Sequence, residues 1–302
     1  MKMERMGRSL GLPIAALALG SLPAAAQVPA SAAPASSAAT TAATWTPSRT
    51  PDGQPDVQGL WNSIIVGAFD LRDPRTGGGR LDELLKERAG VKRIPKPSRI
   101  VDPPNGDIPY QPWASAKQKD IAAHVDDPTK PEHIDTQARC IINAPPRSIL
   151  FSIFQIIQTP GYVTLIHEMN HNFRVIPLEG GPHVGPALQM WKGDSRGHWE
   201  GNTLVVDVTN YNGKERLDMV GDFDSPAVHV VERFKFVDAN TLDYEATVED
   251  PSVYTRPWKL ASRVRKIKDQ NYEIWEDACH EGERSSQTMV LSSAPASAAP
   301  AK

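Results

Sequence analysis

The sequence lacks the short motifs that mark the common nucleotide-dependent and hydrolytic enzymes. It contains no G-x-S-x-G, which excludes the nucleophile elbow of the α/β-hydrolases, and no glycine-rich phosphate loop or dinucleotide fingerprint. The two cysteines are not accompanied by the CxxC or Cys-His spacing of metal ligands. We therefore expect any catalysis to be acid/base chemistry that uses no cofactor and no resident metal.

An excess of basic residues is also missing. Lysine and arginine number 33 against 36 aspartates and glutamates, which gives a net charge of −3. A mildly acidic chain argues against a nucleic-acid partner, which needs a basic face, and against adsorption to anionic lipid. Beyond the first 26 residues no stretch is apolar enough to cross a bilayer. The sequence predicts neither nucleic-acid binding nor membrane insertion, and it leaves the oligomeric state open.

Cysteine is scarce, with only Cys140 and Cys279 in 302 residues. Two distant cysteines in one chain form a disulfide more often than not when the compartment is oxidising. A Cys140–Cys279 bridge is therefore predicted, and it would tie the segment before the strands to the last strand. The alternative is two unrelated buried thiols.

The first 26 residues have the organisation of a secretory signal peptide. Lys2, Arg5 and Arg8 form a basic region ahead of an apolar stretch, and three alanines at 24–26 supply an A-x-A cleavage site. We expect an exported protein, either periplasmic or secreted.

Composition divides the remaining chain into four parts. Residues 27–44 and the tail 285–302 are rich in Ala, Ser and Pro and are predicted to be disordered. Residues 45–147 contain Pro and Gly turns and two short candidate helices, at 81–90 and 114–125, so we interpret them as a partly helical wrap. Residues 148–284 form the predicted β domain.

Strand patterns fill the β domain. Eight to ten short apolar, β-branched runs alternate with Gly, Pro, Asn and Asp turns and have no helices between them. The runs include 187–194 and 272–280. Closed barrels and sandwiches both give this pattern, and a meander of about eight strands favours a barrel that can hold one small ligand. The predicted fold class is all-β, an antiparallel barrel with an N-terminal wrap.

Three of these strands carry carboxylates where a core strand would have none. Alternation places Glu232 on the same face as Phe234, which predicts a buried acid. The alternative is a structural ion pair with an arginine of a neighbouring strand. Asp207 lies either in the interior or on the outer face. Glu245 and Glu249 line either a solvated outer face or a polar lumen.

The candidate site residues are acids and a histidine for proton transfer, together with aromatic and basic residues for orienting a ligand. Proton transfer is assigned to Glu232, Asp207, Glu249 and His280. Ligand binding is assigned to Tyr254, Arg256, Trp258, Trp199 and His229.

One literal match to a metalloprotease motif is present, His167-Glu168-x-x-His171. The motif binds zinc only when a helix brings both histidines to one face. Asn170 and Asn172 favour a turn instead, and the flanks are β-branched. A zinc hydrolase, with His183 as a third ligand, therefore remains a lesser alternative.

Several stretches resemble a large family of exported proteins from soil and aquatic bacteria. The resemblance covers nearly the whole mature chain, and its most specific parts are GDSRGxWEGxTLVVD at 193–207 and VYTRPW at 253–258. It implies a lipocalin-like (calycin) barrel and a setting similar to that of proteins that handle plant-derived aromatics. The family usually has Tyr or Phe followed by Glu and a turn in the HExxH region, which implies that the motif is accidental here. It assigns no catalytic residue.

These observations favour a cofactor-independent lyase or isomerase that performs acid/base chemistry on a hydrophobic, plant- or lignin-derived aromatic small molecule. A non-catalytic periplasmic carrier of a hydrophobic small molecule would share the barrel. A zinc hydrolase would need His167 and His171 to converge on a metal.

Overall fold

Ten antiparallel strands form one sheet that curls into a nearly closed, lipocalin-like barrel. The computed structural model describes residues 45–63, 70–72, 98–150, 152–170, 172–277 and 289–290, and the statements below concern these residues. The predicted signal peptide, the linker 27–44, the helix at 81–90 and nearly all of the chain after residue 277 lie outside them. The predicted all-β barrel is confirmed.

The strands run in the order β5-β4-β3-β1-β10-β9-β8-β7-β6, and β2 pairs with β10 beside this path. Their bounds are β1 Gly59–Asn62, β2 Ile100–Asp102, β3 Ile153–Thr159, β4 Tyr162–His167, β5 Phe173–Pro177, β6 Asp194–Glu200, β7 Thr203–Thr209, β8 His229–Asp238, β9 Thr241–Glu249 and β10 Trp258–Lys266. Two α-helices, α1 (Pro112–Ala123) and α2 (Arg147–Leu150), and 3₁₀ turns at Pro131–His133 and Gln137–Arg139 precede β3. No helix of the described chain is long and apolar enough to cross a membrane.

Alternation along the strands sends one set of side chains into the barrel. On β8 the inward set includes Val230, Phe234 and Phe236, all buried, and Trp61 of β1 packs edge-on against Phe236 with ring centroids 5.4 Å apart. Burying one such large apolar side chain contributes roughly 1.5–3 kcal/mol. The centre of the barrel is therefore a packed core built from residues 2 apart along each strand.

The N-terminal segment contributes strands as well as a wrap. β1 lies between β3 and β10, with Trp61 opposite both Phe154 and Lys266. The residues before it cover one barrel edge, where Asn202 Nδ2 donates to the Trp45 carbonyl at 2.6 Å. The helix predicted at 114–125 is confirmed as α1.

The two predicted strands at 187–194 and 272–280 were wrong. Residues 187–193 form a loop before β6, and the described part of the other run, 272–277, is irregular. Their apolar side chains, including Leu188, Trp191 and Trp275, are exposed and do not enter the core.

The barrel has two rims, defined by the strands β6 to β9. The upper rim is the edge with Asp194, Thr209, His229 and Glu249, and the lower rim is the edge with Glu200, Thr203, Asp238 and Thr241. β5 and β6 are the two edge strands of this hydrogen-bonded order, and they contact each other through side chains. A Cβ added at Gly197 of β6 would lie 2.7 Å from Ile176 Cγ2 of β5, so this close approach requires glycine.

Candidate active site

The outer face of the upper rim holds one carboxylate that contacts two imidazoles. Asp207, near the end of β7, lies with Oδ1 2.7 Å from His183 Nε2 and with Oδ2 2.9 Å from His229 Nε2. Asp207 points outward, which settles the alternative that its sequence left open. Both histidines therefore share a single negative charge between them.

Further carboxylates extend this contact at both ends. His183 Nδ1 lies 3.0 Å from Asp194 Oδ2, so both ring nitrogens of His183 face an acceptor. His229 Nδ1 lies 4.0 Å from Glu249 Oε2, its cross-strand partner on β9. We call the chain Glu249–His229–Asp207–His183–Asp194 the His–Asp relay.

The relay is open to solvent on one side. The side chains of Asp207, His229 and His183 are 43%, 37% and 26% exposed. Partial burial raises the pKa of Asp207, but the hydrogen bonds from His229 and His183 outweigh it, and the pKa lies below its usual value. Asp207 is thus an ionised acceptor at neutral pH, while a molecule in solution can still reach both rings.

Asn210 holds in place the loop that follows His183, and so helps to position His183 beside the strands. The Asn210 backbone has a φ of 62°, a left-handed conformation that Asn tolerates. Its Nδ2 donates to the carbonyls of Gly185 at 3.1 Å and of Leu188 at 3.0 Å, and its own carbonyl accepts from Met190 N–H at 2.8 Å. These bonds fix the loop 184–190 against the end of β7, and His183 lies directly before it.

Glu232 occupies the other face of the sheet and takes no part in the relay. Its carboxylate is fully buried, 2.5 Å from Arg174 Nη2, and it accepts from the Tyr244 hydroxyl at 2.8 Å. Burial and the Glu232 charge raise the pKa of Tyr244 well above its usual value. The inward orientation predicted for Glu232 is confirmed. The arginine partner lies on β5 and not on a strand next to β8.

The residues predicted to orient a ligand do not converge on the relay, apart from His229. Tyr254 and Trp258 are buried and pack edge-on at 5.7 Å, and the Tyr254 hydroxyl donates to the Phe223 carbonyl. Arg256 forms a two-pronged surface ion pair with Asp102, at 3.0 Å for both contacts.

Trp199 lies at the lower rim, with its ring centroid 6.2 Å from that of Phe236. His280 lies outside the described residues. Cys140 follows the second 3₁₀ turn with a φ of 59°, and Cys279 lies outside the described residues, so the disulfide stays a prediction.

Residues 167–170, the described part of the HExxH stretch, do not form a helix. His167 ends β4, the residues after it turn, and Asn170 has a φ of 58°. The Glu168 carboxylate accepts from the Tyr272 hydroxyl at 2.5 Å, and His171 lies outside the described residues. The predicted turn is confirmed for the described part of the motif.

Within the described chain two groups have side chains close enough to hold a cation, and contacts inside the protein already use several of their ligand atoms. In the first, Asp120, His124 and His133, the Thr129 N–H donates to His133 Nδ1 at 3.2 Å. The proton of the neutral ring is therefore on Nε2, which lies 3.2 Å from Asp120 and offers no lone pair to a metal.

The second group, Asp70, Asp218 and Asp222, already contacts a cation of the chain itself. Arg72 Nη2 lies 3.1 Å from Asp222 Oδ1, which also accepts from the Tyr110 hydroxyl at 3.0 Å. Burial and the neighbouring Asp222 charge raise the pKa of Asp218 well above its usual value. This group is a structural contact between the N-terminal segment and the loop after β7.

Sequence reasoning missed His183 as a partner of Asp207 and Arg174 as the partner of Glu232. Arg174 follows the inward alternation of β5, so the strand period was the signal that could have found it. His183 lies in the aperiodic stretch GGPH and carries no comparable signal.

Comparison of the chain with protein-family models, with curated proteins and with solved structures finds no match. The fold by itself defines the class: a lipocalin-like antiparallel barrel with a His–Asp relay on its outer upper rim.

Proposed function

We propose that this protein is an exported, cofactor-independent lyase or isomerase that performs acid/base chemistry on a hydrophobic, aromatic small molecule. The observation that carries the proposal is the Asp207 carboxylate held between the imidazoles of His183 and His229. Histidine is the side chain whose ordinary pKa suits proton transfer in both directions near neutral pH.

The relay supports proton transfer through His229 Nδ1, since both ring nitrogens of His183 already face carboxylates. His229 takes a proton on Nδ1 from a carbon next to an activating group, and the same protonated ring then donates that proton to the departing oxygen. Asp207, which His183 also contacts, stabilises the protonated His229 ring. In an elimination the substrate loses a proton and an alcohol or phenol leaves; in an isomerisation the abstracted proton returns to another carbon. Neither reaction needs an oxidant or a second substrate.

The apolar residues of the loop that carries His183 support a hydrophobic substrate. Leu188, Met190 and Trp191 are exposed, although side chains of this type are usually buried. Asn210 holds this loop beside the end of β7. A plant- or lignin-derived aromatic is the substrate class that also agrees with the resemblance noted above, and export agrees with the pattern of the first 26 residues.

The test uses a panel of lignin-type aryl ethers and terpenoids with wild type and Asp207→Asn. We expect turnover of at least one compound by wild type and a loss of about 10²–10⁴-fold in kcat for the variant, the usual contribution of acid/base catalysis. Asp102→Asn is the matched control, because Asp102 is equally exposed (44%) and ion-paired but lies away from the relay. Equal losses in both variants would overturn the proposal.

The two alternatives predict different results. A carrier would bind a compound of the panel and release it unchanged, with and without Asp207. A zinc hydrolase would purify with stoichiometric zinc, and a chelator would abolish its activity; His183→Gln would then lower metal content as well as turnover.

A further inference from the structure

A cleft of about 460 Å³ opens at the upper rim on the β4–β5 side of the barrel, and no relay residue lines it. Its walls include Ile166, His167, Asn172, Phe173, Ile274 and Trp275. Small-molecule sites in proteins have volumes of about 300–1,000 Å³ and combine apolar walls with a few polar groups. The cleft therefore has the size of a site for a molecule of one or two rings.

Two aromatic side chains at the cleft are left in contact with solvent. Trp275 is 73% exposed and Phe173 is 59% exposed. Lys192 Nζ lies 4.6 Å from the centroid of the Phe173 ring, so one face of that ring already contacts a cation. A planar ring stacked on Trp275 would remove apolar surface from water on both partners.

The same cleft has two buried acceptor atoms that lack a hydrogen-bond partner within the described chain. Asn172 is buried and its Nδ2 donates to the Asn143 carbonyl at 2.8 Å, which leaves Oδ1 unpaired. His167 is equally buried and its Nε2 is unpaired. Leaving a buried acceptor without a donor costs about 1–3 kcal/mol, so a ligand that supplies a donor recovers this free energy.

The contacts of His167 determine which of its nitrogens accepts. The Ser152 hydroxyl donates to the Ile153 carbonyl at 2.8 Å, so its oxygen can only accept from His167 Nδ1, 3.2 Å away. The proton of the neutral ring is therefore on Nδ1, and Nε2 presents a lone pair. Burial, with the Arg174 and Lys192 charges, lowers the pKa of His167 to about 3, so this lone pair persists at neutral pH.

We propose that this cleft is a binding site for a planar phenol or aryl alcohol of one or two rings. The ring stacks on Trp275 beside Phe173, and the hydroxyl donates to His167 Nε2. The site requires no turnover and lies apart from the relay, so it stands independently of the proposed function.

The test compares 2-naphthol with 2-methoxynaphthalene, two probes that differ only in the hydroxyl donor. We expect saturable quenching of tryptophan fluorescence and a calorimetric Kd for 2-naphthol that is at least tenfold lower than for the ether. Trp275→Ala should weaken 2-naphthol binding at least tenfold. Trp113→Ala is the matched control, since it also removes an exposed tryptophan but does not line the cleft, and should leave the Kd unchanged.

His167→Leu addresses the hydrogen bond directly and should bring the two probes to equal affinity, provided that circular dichroism shows the variant to be folded. If it does not fold, the comparison of Trp275→Ala with Trp113→Ala decides alone. Equal affinity of both probes for wild type, an unchanged Kd in Trp275→Ala, or no binding up to the solubility limit would each overturn the proposal.

Asp207→Asn separates the two proposals. We expect it to leave the Kd for 2-naphthol unchanged. Failure of naphthol binding in a protein whose turnover depends on Asp207 would end the cleft proposal only, and intact binding with Asp207-independent turnover would end the relay proposal only.

Discussion

Arg174 and Glu232 form a buried ion pair that spans the one junction of the barrel without a strand ladder. Arg174 lies on β5 and Glu232 on β8, and their Nη2 and Oε2 atoms are 2.5 Å apart. Arg174 Nε also donates to Ser195 Oγ of β6 at 2.9 Å. Side-chain contacts therefore hold together the two edge strands, β5 and β6, which no main-chain hydrogen bonds pair in the described sheet.

Removing one member of this pair should destabilise the fold. Glu232→Gln leaves the Arg174 charge buried without a counter-charge, which typically costs about 3–5 kcal/mol in the free energy of unfolding. Urea denaturation measures it. The double variant Arg174→Met/Glu232→Leu should recover much of the loss, because it removes both charges. Normal stability with lost turnover in Glu232→Gln would instead support the original prediction that Glu232 is catalytic.

His167 should make the protein sensitive to acid. Its folded pKa of about 3 lies below the ordinary value of 6.5, so the unfolded chain binds more protons between these values. Stability is therefore lost as pH falls from 6.5 towards 3, by on the order of 2–3 kcal/mol at pH 4. Between pH 6.5 and pH 4 the urea midpoint of His167→Leu should fall less than that of wild type. An equal fall in both proteins would contradict the prediction.

Titration of Asp224 should lower the stability of the fold as the pH rises, which is the opposite of the effect of His167. Burial and the Asp250 charge raise the pKa of Asp224 from 3.8 to about 8, so the folded chain binds more protons between these values. Stability should therefore decline as pH rises from 4 to 8, by roughly 1–3 kcal/mol for a partly exposed group. Asp224→Asn should be more stable than wild type at pH 8 and equal to it at pH 4. A constant difference across this range would rule out titration as the cause.

Asn210 should control the loop that carries His183. Asn210→Gly removes the amide contacts to Gly185 and Leu188 but keeps the left-handed backbone accessible; Asn210→Ala removes the contacts and also strains the backbone by about 1 kcal/mol. Both variants should be cleaved several-fold faster within 184–190 in limited proteolysis, and Asn210→Ala should be the less stable of the two. Unchanged cleavage would mean that other contacts hold the loop.

Strand periodicity was enough to predict the barrel and the face of Glu232. A period of two assigns every side chain of a long strand at once, and β8 and β9 are ten and nine residues long. Three relay residues, Asp207, His229 and Glu249, were named from their strands. The contact of His183 with Asp207 could not be predicted in this way, because His183 reaches Asp207 only through a loop whose path depends on the turn at Asn210.

The two wrong strands have a common physical cause. Trp191 and Trp275 lie in apolar stretches that resemble strands, yet both side chains are exposed. Hydrophobicity along a sequence does not distinguish residues that pack in a core from residues that form an exposed apolar binding surface. The wrong assignments therefore fall where the two proposed binding surfaces lie.

The place of β1 between β3 and β10 also has a consequence for how the chain folds. Trp61 of β1 pairs with Lys266 of β10, so the first strand of the barrel has both of its neighbours only after the last strand has formed. Pairing between such distant parts of a chain slows folding. A polypeptide that is synthesised or released amino end first would thus stay open along its length until nearly all of it had emerged, and the barrel would close in a late step.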